Sequence, residues 1–246
     1  MPSIAYQLYS SRNWSMEETF AMLARLGIGA VEGYGPYVDD PDKTKSLLDQ
    51  HGIGMPTCHF GLDLVEQDPD RVIRIARELG IEAVVVPYLA AEDRPTSEPG
   101  WAQFAKRLAQ AGAPIIASGL DFAWHNHDFE LAPVDGIMPL DLIAAASTDI
   151  KIELDLAWVK VAGHDPVVWL EKLAGRLVAA HIKDIAPAGE NSDEDGWADV
   201  GRGIMDWRSI KPALDAAGVD KYIIEHDNPS DHERMARRSL ASVKAF

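Results

Sequence analysis

Three stretches of the chain follow one plan. ARLGIGAVE (24–32), ARELGIEAVVV (76–86) and LDAAGVDKYIIE (214–225) each run from a helix end through a glycine and a short turn into an apolar, β-forming strand. A unit that repeats this way at roughly 30 residues is a βα unit. Eight strand candidates follow: 3–10, 29–35, 54–60, 82–89, 120–127, 150–156, 177–185 and 221–227. Eight helix candidates alternate with them, at 16–26, 41–51, 69–79, 99–118, 137–147, 165–175, 206–217 and 231–245. Strands such as AVVVPYL and AVEGY are apolar on both faces, as parallel strands covered by helices must be. Eight such strands predict an α/β protein, a single (β/α)8 TIM barrel over residues 1–246. An open doubly wound sheet is the runner-up. It lacks support because QLYSSRNWS, not a glycine-rich dinucleotide loop, follows the first strand.

Local signals agree with the helices. Ser15 and Glu18 form a capping-box pattern. Asp40-Pro41, Asp68-Pro69 and Asp165-Pro166 place an amide acceptor before a proline suited to the first helical turn. Gly27, Gly52, Gly80, Gly112, Gly175 and Gly218 are the predicted helix-ending glycines. The longest connection, 186–203, is acidic and glycine-rich and is expected to be a surface loop or lid. No linker interrupts the pattern.

Composition narrows the function. The chain is 47% hydrophobic, enough for a core and against disorder. Its charge is 23 − 39 = −16, which repels phosphate backbones and anionic membranes, so nucleic-acid and membrane partners are not expected. The single cysteine, Cys58, excludes an internal disulfide and a multi-cysteine zinc site and reads as a small buried hydrophobe. No apolar run approaches the roughly 18 residues of a membrane span, and MPSIAYQLYS is no secretory signal; a cytoplasmic enzyme is expected. Homo-oligomerisation stays open.

Barrel active sites lie at the strand C-termini. Glu32, His59, His125, His127, Asp155, His181 and Glu225 stand there. Lys183 shares a face with His181, and Glu153 with Asp155, because strand side chains alternate. Burying these carboxylates requires a partner. Asp155, His181 and Glu225 end successive strands, and with His125 they make a mixed N/O donor set. Such a set suits a divalent cation, first Mn²⁺, with Fe²⁺, Co²⁺ or Zn²⁺ as alternatives and Mg²⁺ behind them. Glu32 and His59 are candidate substrate contacts, and Trp158 is a candidate apolar wall against a sugar face, beside Trp124 and Trp197. Ion pairing with Asp155 or Glu153 is the bland alternative for Lys183.

The chain resembles the xylose isomerase-like TIM barrels, the sugar phosphate isomerase/epimerase family that shares its fold with the type 2 AP endonucleases. The resemblance rests on QLYSSR, WHNHDFEL (124–131), ELDLAWVKVAGHDP (153–166), HIKD (181–184), VGRGIMDW (200–207) and IIEHD (223–227), which occur in the family's order along nearly the whole chain. It implies a metal held by Glu, Asp, His and Glu at the ends of strands five to eight. Asp155, His181 and Glu225 match; His125 stands where the first glutamate is expected. A two-glutamate proton exchange is thereby put in doubt, and His127, Glu130 or Lys183 becomes the candidate second acid/base beside Glu225. The resemblance also brings Arg202 toward a substrate oxygen or phosphate. The implied activity is proton transfer beside the carbonyl of a keto sugar or polyol ketone through an enediolate, giving isomerisation or epimerisation. Loss of a β-hydroxyl, as in the inosose-dehydratase-like members, is the alternative. A non-catalytic sugar-binding protein and an AP endonuclease are the weaker readings.

Overall fold

The computed structural model describes residues 2–246; Met1, the first residue of the span read as one domain, lies outside the described residues. Eight strands close into a barrel: β1 (Ser3–Gln7), β2 (Ala30–Gly33), β3 (Gly54–His59), β4 (Ala83–Val86), β5 (Asp121–His125), β6 (Ile150–Asp155), β7 (Leu177–Ile182) and β10 (Lys221–Ile224). Their order around the barrel is β1-β10-β7-β6-β5-β4-β3-β2, and every neighbouring pair is parallel. The fold is a single (β/α)8 TIM barrel and not an open sheet.

The outer helices are α1 (Met16–Leu26), α3 (Pro41–His51), α5 (Pro69–Leu79), α6 (Glu98–Ala117), α7 (Pro139–Ala146), α9 (Pro166–Lys172), α10 (Trp207–Ala216) and α11 (His232–Ala245). Three short helices that periodicity did not show, α2 (Gly35–Asp39), α4 (Leu62–Gln67) and α8 (Leu156–Val161), follow β2, β3 and β6 at the mouth. They are too short to carry an amphipathic period. Among the described residues no helix is long and apolar enough to cross a membrane.

The caps form as their chemistry predicts. Ser15 Oγ accepts from the Glu18 amide while Glu18 reaches back to the Ser15 amide. Asp40, Asp68 and Asp165 each accept from an amide in the first turn of the helix they precede. Gly112 is the exception. It lies inside α6, where a Cβ would stand 2.1 Å from Phe122 Cδ1. Its role is close approach of helix to strand, not helix termination; the left-handed residue comes later, at Gly119.

Alternation splits the strand residues into two apolar sets. Outward side chains such as Tyr6, Val31, Val84, Trp124, Leu154 and Ile224 join the helices in the large core. The inward set is small: Ala5, Ala83, Val85, Ala123, Val178, Ala179 and Ile223 fill the lower lumen. One pleat higher, the inward positions turn polar: Gln7, Glu32, His59, His125, Glu153 and His181. Highest on this face are Asp155, Lys183 and Glu225. The barrel therefore passes from an apolar floor to a charged mouth along its axis.

The long connection is not an irregular lid. β8 (Asp184–Ile185) and β9 (Trp197–Ala198) pair antiparallel across it. Asp184 anchors the segment, accepting from the amides of Ile185, Gly201 and Met205 and from Trp207 Nε1 at 2.8–3.0 Å. A Cβ at Gly203 would fall 2.1 Å from the Ile185 carbonyl oxygen, which explains the second glycine of VGRG. Glu194 and Asp199 then tie the connection to α11 through Ser230, Arg234 and Arg238.

Candidate metal and substrate site at the strand ends

Register builds the site. Asp155 on β6 pairs with His181 on β7, and His181 pairs with Ile223 on β10, two residues before Glu225. One ligand atom from each of Asp155, His181 and Glu225 lies within 4.8 Å of the others, and all three residues are buried. His181 Nδ1 is 2.9 Å from Glu225 Oε2. Asp155 Oδ1 accepts from the Trp158 amide at 2.8 Å, capping α8.

Charge in this cluster is unbalanced. The Lys183 ammonium sits 2.6 Å from Asp227, 3.4 Å from Glu225 and 3.6 Å from Asp155 Oδ2. Three carboxylates thus face one ammonium and the His181 ring, whose charge burial opposes but Glu153, Glu225 and Glu32 favour, lifting it well above its ordinary range. Burial works against the charged lysine, yet Asp227, Glu225 and Asp155 hold it above its ordinary range. Burial lifts the Asp155 carboxyl to about 6 against the pull of Lys183 and His181. Burial also opposes ionisation of Glu225, but Lys183 and His181 overcome it and keep that carboxylate ionised. Asp155 Oδ2 is buried with no hydrogen-bond partner. An orphaned buried carboxylate oxygen, a second carboxylate and an imidazole nitrogen at one point are the donors a divalent cation takes. The residues fit the group.

A cavity of about 560 Å³ opens above this cluster, with Tyr9, Tyr34, Tyr88, His125, His127 and Glu225 in its wall. The His127 ring is neutral: burial, then Lys183, pushes it down to about 3, and its Nδ1 has no partner. Trp158 flanks the His127 ring at 5.3 Å and Lys183 at 5.1 Å, behind the cavity wall that His127 forms.

A family model described as xylose isomerase-like TIM barrel matches residues 20–246. The chain belongs to that family. The xylose isomerase-like barrel superposes on a sugar phosphate isomerase/epimerase from Parabacteroides distasonis with a TM-score of 0.82 at 20% identity, covering 99% of this chain and 94% of that one. It superposes on the probable 3-DHS dehydratase AsbF of Bacillus anthracis with a TM-score of 0.78 at 12% identity, covering 98% of each chain. The IolI protein with a bound zinc atom gives 0.74 at 16%, covering 100% of this chain and 97% of that one. These likenesses establish the shared fold. No curated relative matches the sequence.

Within this xylose isomerase-like barrel the other sequence-derived site residues take distinct places. His125 does not complete the Asp155–His181–Glu225 group. Its Nδ1 lies 3.1 Å from Oε2 of Glu153, its neighbour in register, and its ring centroid is 4.4 Å from that of His181. Glu32 is fully buried and does not line the mouth cavity; Gln7, His59 and His181 all meet its Oε2. His59 does line the cavity, and its Nε2 meets Glu153 and Glu32 at 2.7 and 3.0 Å. Burial opposes its charge, but the two glutamates lift it to about 10.

Glu130 is also wholly buried. It accepts from Trp124 Nε1 and the His127 amide, which makes it a brace for the β5 end; burial lifts its carboxyl to about 8. Arg202 lies outside the mouth, in a separate cleft of about 370 Å³ beside Glu190, Arg234 and Arg238, because the chain turns away around Asp184. Sequence reasoning passed over Asp227 and Arg12, which both line the mouth cavity, and left Glu153 without a site role. Period-two spacing from Asp155 and Glu225 is the signal that marks Glu153 and Asp227.

Proposed function

We propose that this chain is a metal-dependent isomerase or epimerase of a keto sugar or related polyol ketone. The observation that carries the reading is the convergence of Asp155, His181 and Glu225 beneath the mouth cavity with Asp155 Oδ2 unpartnered. These residues would hold the cation, with Mn²⁺ favoured by the mixed N/O donors. When bound, a divalent ion polarises a carbonyl oxygen and stabilises charge developing on it.

The chain's own groups supply the rest. Glu225 is ionised and faces the cavity, so it can take the proton from the carbon beside the carbonyl. His127, held neutral by burial and lining the same cavity, is the second group able to pass a proton. Lys183 is clamped by three carboxylates and works as a fixed positive charge, not a mobile base. Tyr9, Tyr34 and Tyr88 offer aromatic faces to a sugar ring.

The test is incubation with Mn²⁺ and a panel of ketoses and inososes in D₂O. Deuterium appearing in recovered substrate and product supports the reading. Turnover without any solvent label, or no turnover and no label across the panel, overturns it. A product short of one water identifies the dehydratase reading instead.

A further inference from the structure

The long connection between β7 and β10 brings one side chain to the mouth that the proposed chemistry leaves unused. Asp195, in the turn that joins β8 to β9, lines the mouth cavity. It is exposed, whereas Glu225 on the same wall is 6% exposed, so Glu225 marks the floor of the cavity and Asp195 its rim. The neighbouring Glu194 carboxylate is taken up by Ser230 and Arg234. Among the described residues no side-chain hydrogen bond or ion pair engages the Asp195 carboxylate.

The turn that presents Asp195 is held in place. Its backbone is left-handed at two residues that carry side chains, Asn191 (φ 49°, ψ 39°) and Asp195 (φ 58°, ψ 25°). Such geometry persists only where the surroundings enforce it. Here the Asn191 carbonyl accepts from the amides of Glu194 and Gly196 at 2.9 Å, and Asn191 Nδ2 donates to the Trp197 carbonyl at 2.9 Å. Glu194 points into the separate cleft, accepting from the Ser230 amide at 2.7 Å and from Arg234 Nη2 at 2.8 Å. Trp197 is buried, with its ring 4.1 Å from Lys183 Nζ and 4.9 Å from the Trp158 ring. Asp195 is therefore a fixed acceptor at the rim, not the tip of a mobile flap.

We propose that Asp195 is a specificity-determining residue that receives adjacent hydroxyls on the end of the substrate away from the reacting carbonyl, and that this end is an uncharged polyol without a phosphate. This substrate class rests on the isomerase reading above. An ionised carboxylate only accepts hydrogen bonds, through two oxygens that suit two neighbouring hydroxyls, and its charge strengthens both bonds. The other charges of the wall agree. Asp195, Glu225 and Asp227 face the cavity with Arg12 as the one guanidinium. Arg12 is already engaged, donating to the Asp227 carbonyl, reaching Asn228 Oδ1 at 3.4 Å and lying over the Tyr9 ring at 4.4 Å. The His59 ring is paired with Glu153 and Glu32, and Lys183 with three carboxylates. A phosphate at the rim would meet a carboxylate where a hydroxyl meets an acceptor. The cleft that holds Arg202, Arg234 and Arg238 opens elsewhere.

Titration calorimetry on the intact protein with Mn²⁺ tests this, using neutral ketoses and inososes set against the 6-phosphates of the same ketoses. The tightest neutral sugar is expected to bind at least about 10-fold better than any phosphate. Asp195→Gly removes both acceptor oxygens and suits the left-handed turn; it should bind that sugar about 10- to 100-fold more weakly. Asp195→Asn keeps the size and the turn but not the charge, and should narrow the gap between neutral and phosphorylated sugars by about 10-fold, a change that a merely structural role would not produce. Both variants are checked for folding by circular dichroism. Unchanged affinity and an unchanged gap in folded variants overturn the proposal. A phosphate that binds as well as the best neutral sugar also overturns it, and leaves the isomerase reading standing if that phosphate takes up deuterium from D₂O. Binding by no member of either set overturns the isomerase reading and this proposal with it.

Discussion

Asp155 and Asp184 are both completely buried, one at the end of β6 and one just beyond β7, yet their surroundings differ. Asp184 receives four N–H donors and leaves neither oxygen idle. Asp155 receives one amide on Oδ1 and nothing on Oδ2. A buried carboxylate saturated by backbone donors is an architectural anchor. A buried carboxylate left short, beside another carboxylate and an imidazole, is poised for a ligand the chain does not itself supply. The contrast extends outward: Glu194 and Asp199 are matched by Arg234, Arg238 and Ser230, whereas the three mouth carboxylates share Lys183 and the His181 ring.

The largest effect is expected where the deficit is removed. Asp155→Asn keeps the size and the cap on α8 but deletes the charge. Turnover should fall by more than about 10³-fold, the scale of several kcal/mol of lost charge stabilisation. Calorimetry gives the companion readout. Mn²⁺ at about 100 times its Kd stabilises a folded state by about 2.7 kcal/mol, so the unaltered chain should melt higher with the ion and the variant should not. A variant that still gains stability from Mn²⁺ would break the contrast.

Asp184→Ala should act on stability instead. Stranding four buried donors costs about 3–5 kcal/mol, lowering Tm by roughly 6–20 °C in a chain of this size. Mn²⁺ affinity of the folded fraction should not move. A melting point within about 2 °C of the original would show that Asp184 is no anchor.

The smallest effect concerns Glu194, where the contrast is sharpened by pH. Burial opposes its charge, but Ser230 and Arg234 pull its carboxyl from 4.5 down to about 2. A depressed folded pKa means that its stabilisation is complete above pH 4.5 and is lost as pH falls toward 2. Glu194→Gln should therefore cost about 1–2 kcal/mol at pH 7, and the gap to the unaltered chain should close between pH 4.5 and 2. Thermal melts across that window measure it; a gap that persists at pH 2 would assign the loss to packing.

Much of this molecule was legible as pattern. The barrel followed from alternating units whose glycines and Asp-Pro pairs act over a few residues. Asp155, His181 and Glu225 followed from being charged residues at the ends of apolar strands. Arg202 was brought toward the substrate by the resemblance alone; GRG itself signals only a turn, and that turn's purpose, wrapping backbone around Asp184, depends on side chains up to 23 residues away. Gly112 misled because a helix-ending glycine and one admitting Phe122 look alike in a sequence. Glu32 stands at a strand end like the others, and only the closed barrel shows it buried and outside the wall of the mouth cavity.

Sequence alone determined the architecture, the caps and the three converging strand-end residues, since strand periodicity and capping are local and repeat along the chain. Tertiary structure alone decided which charges are matched. His181 meets Glu32 across 149 residues and His59 meets Glu153 across 94, contacts set by barrel closure and register. Whether a buried carboxylate finds its donors, as Asp184 does, or stays short of them, as Asp155 does, is a property of the closed barrel, because desolvation and pairing depend on neighbours in space and not on neighbours in the chain.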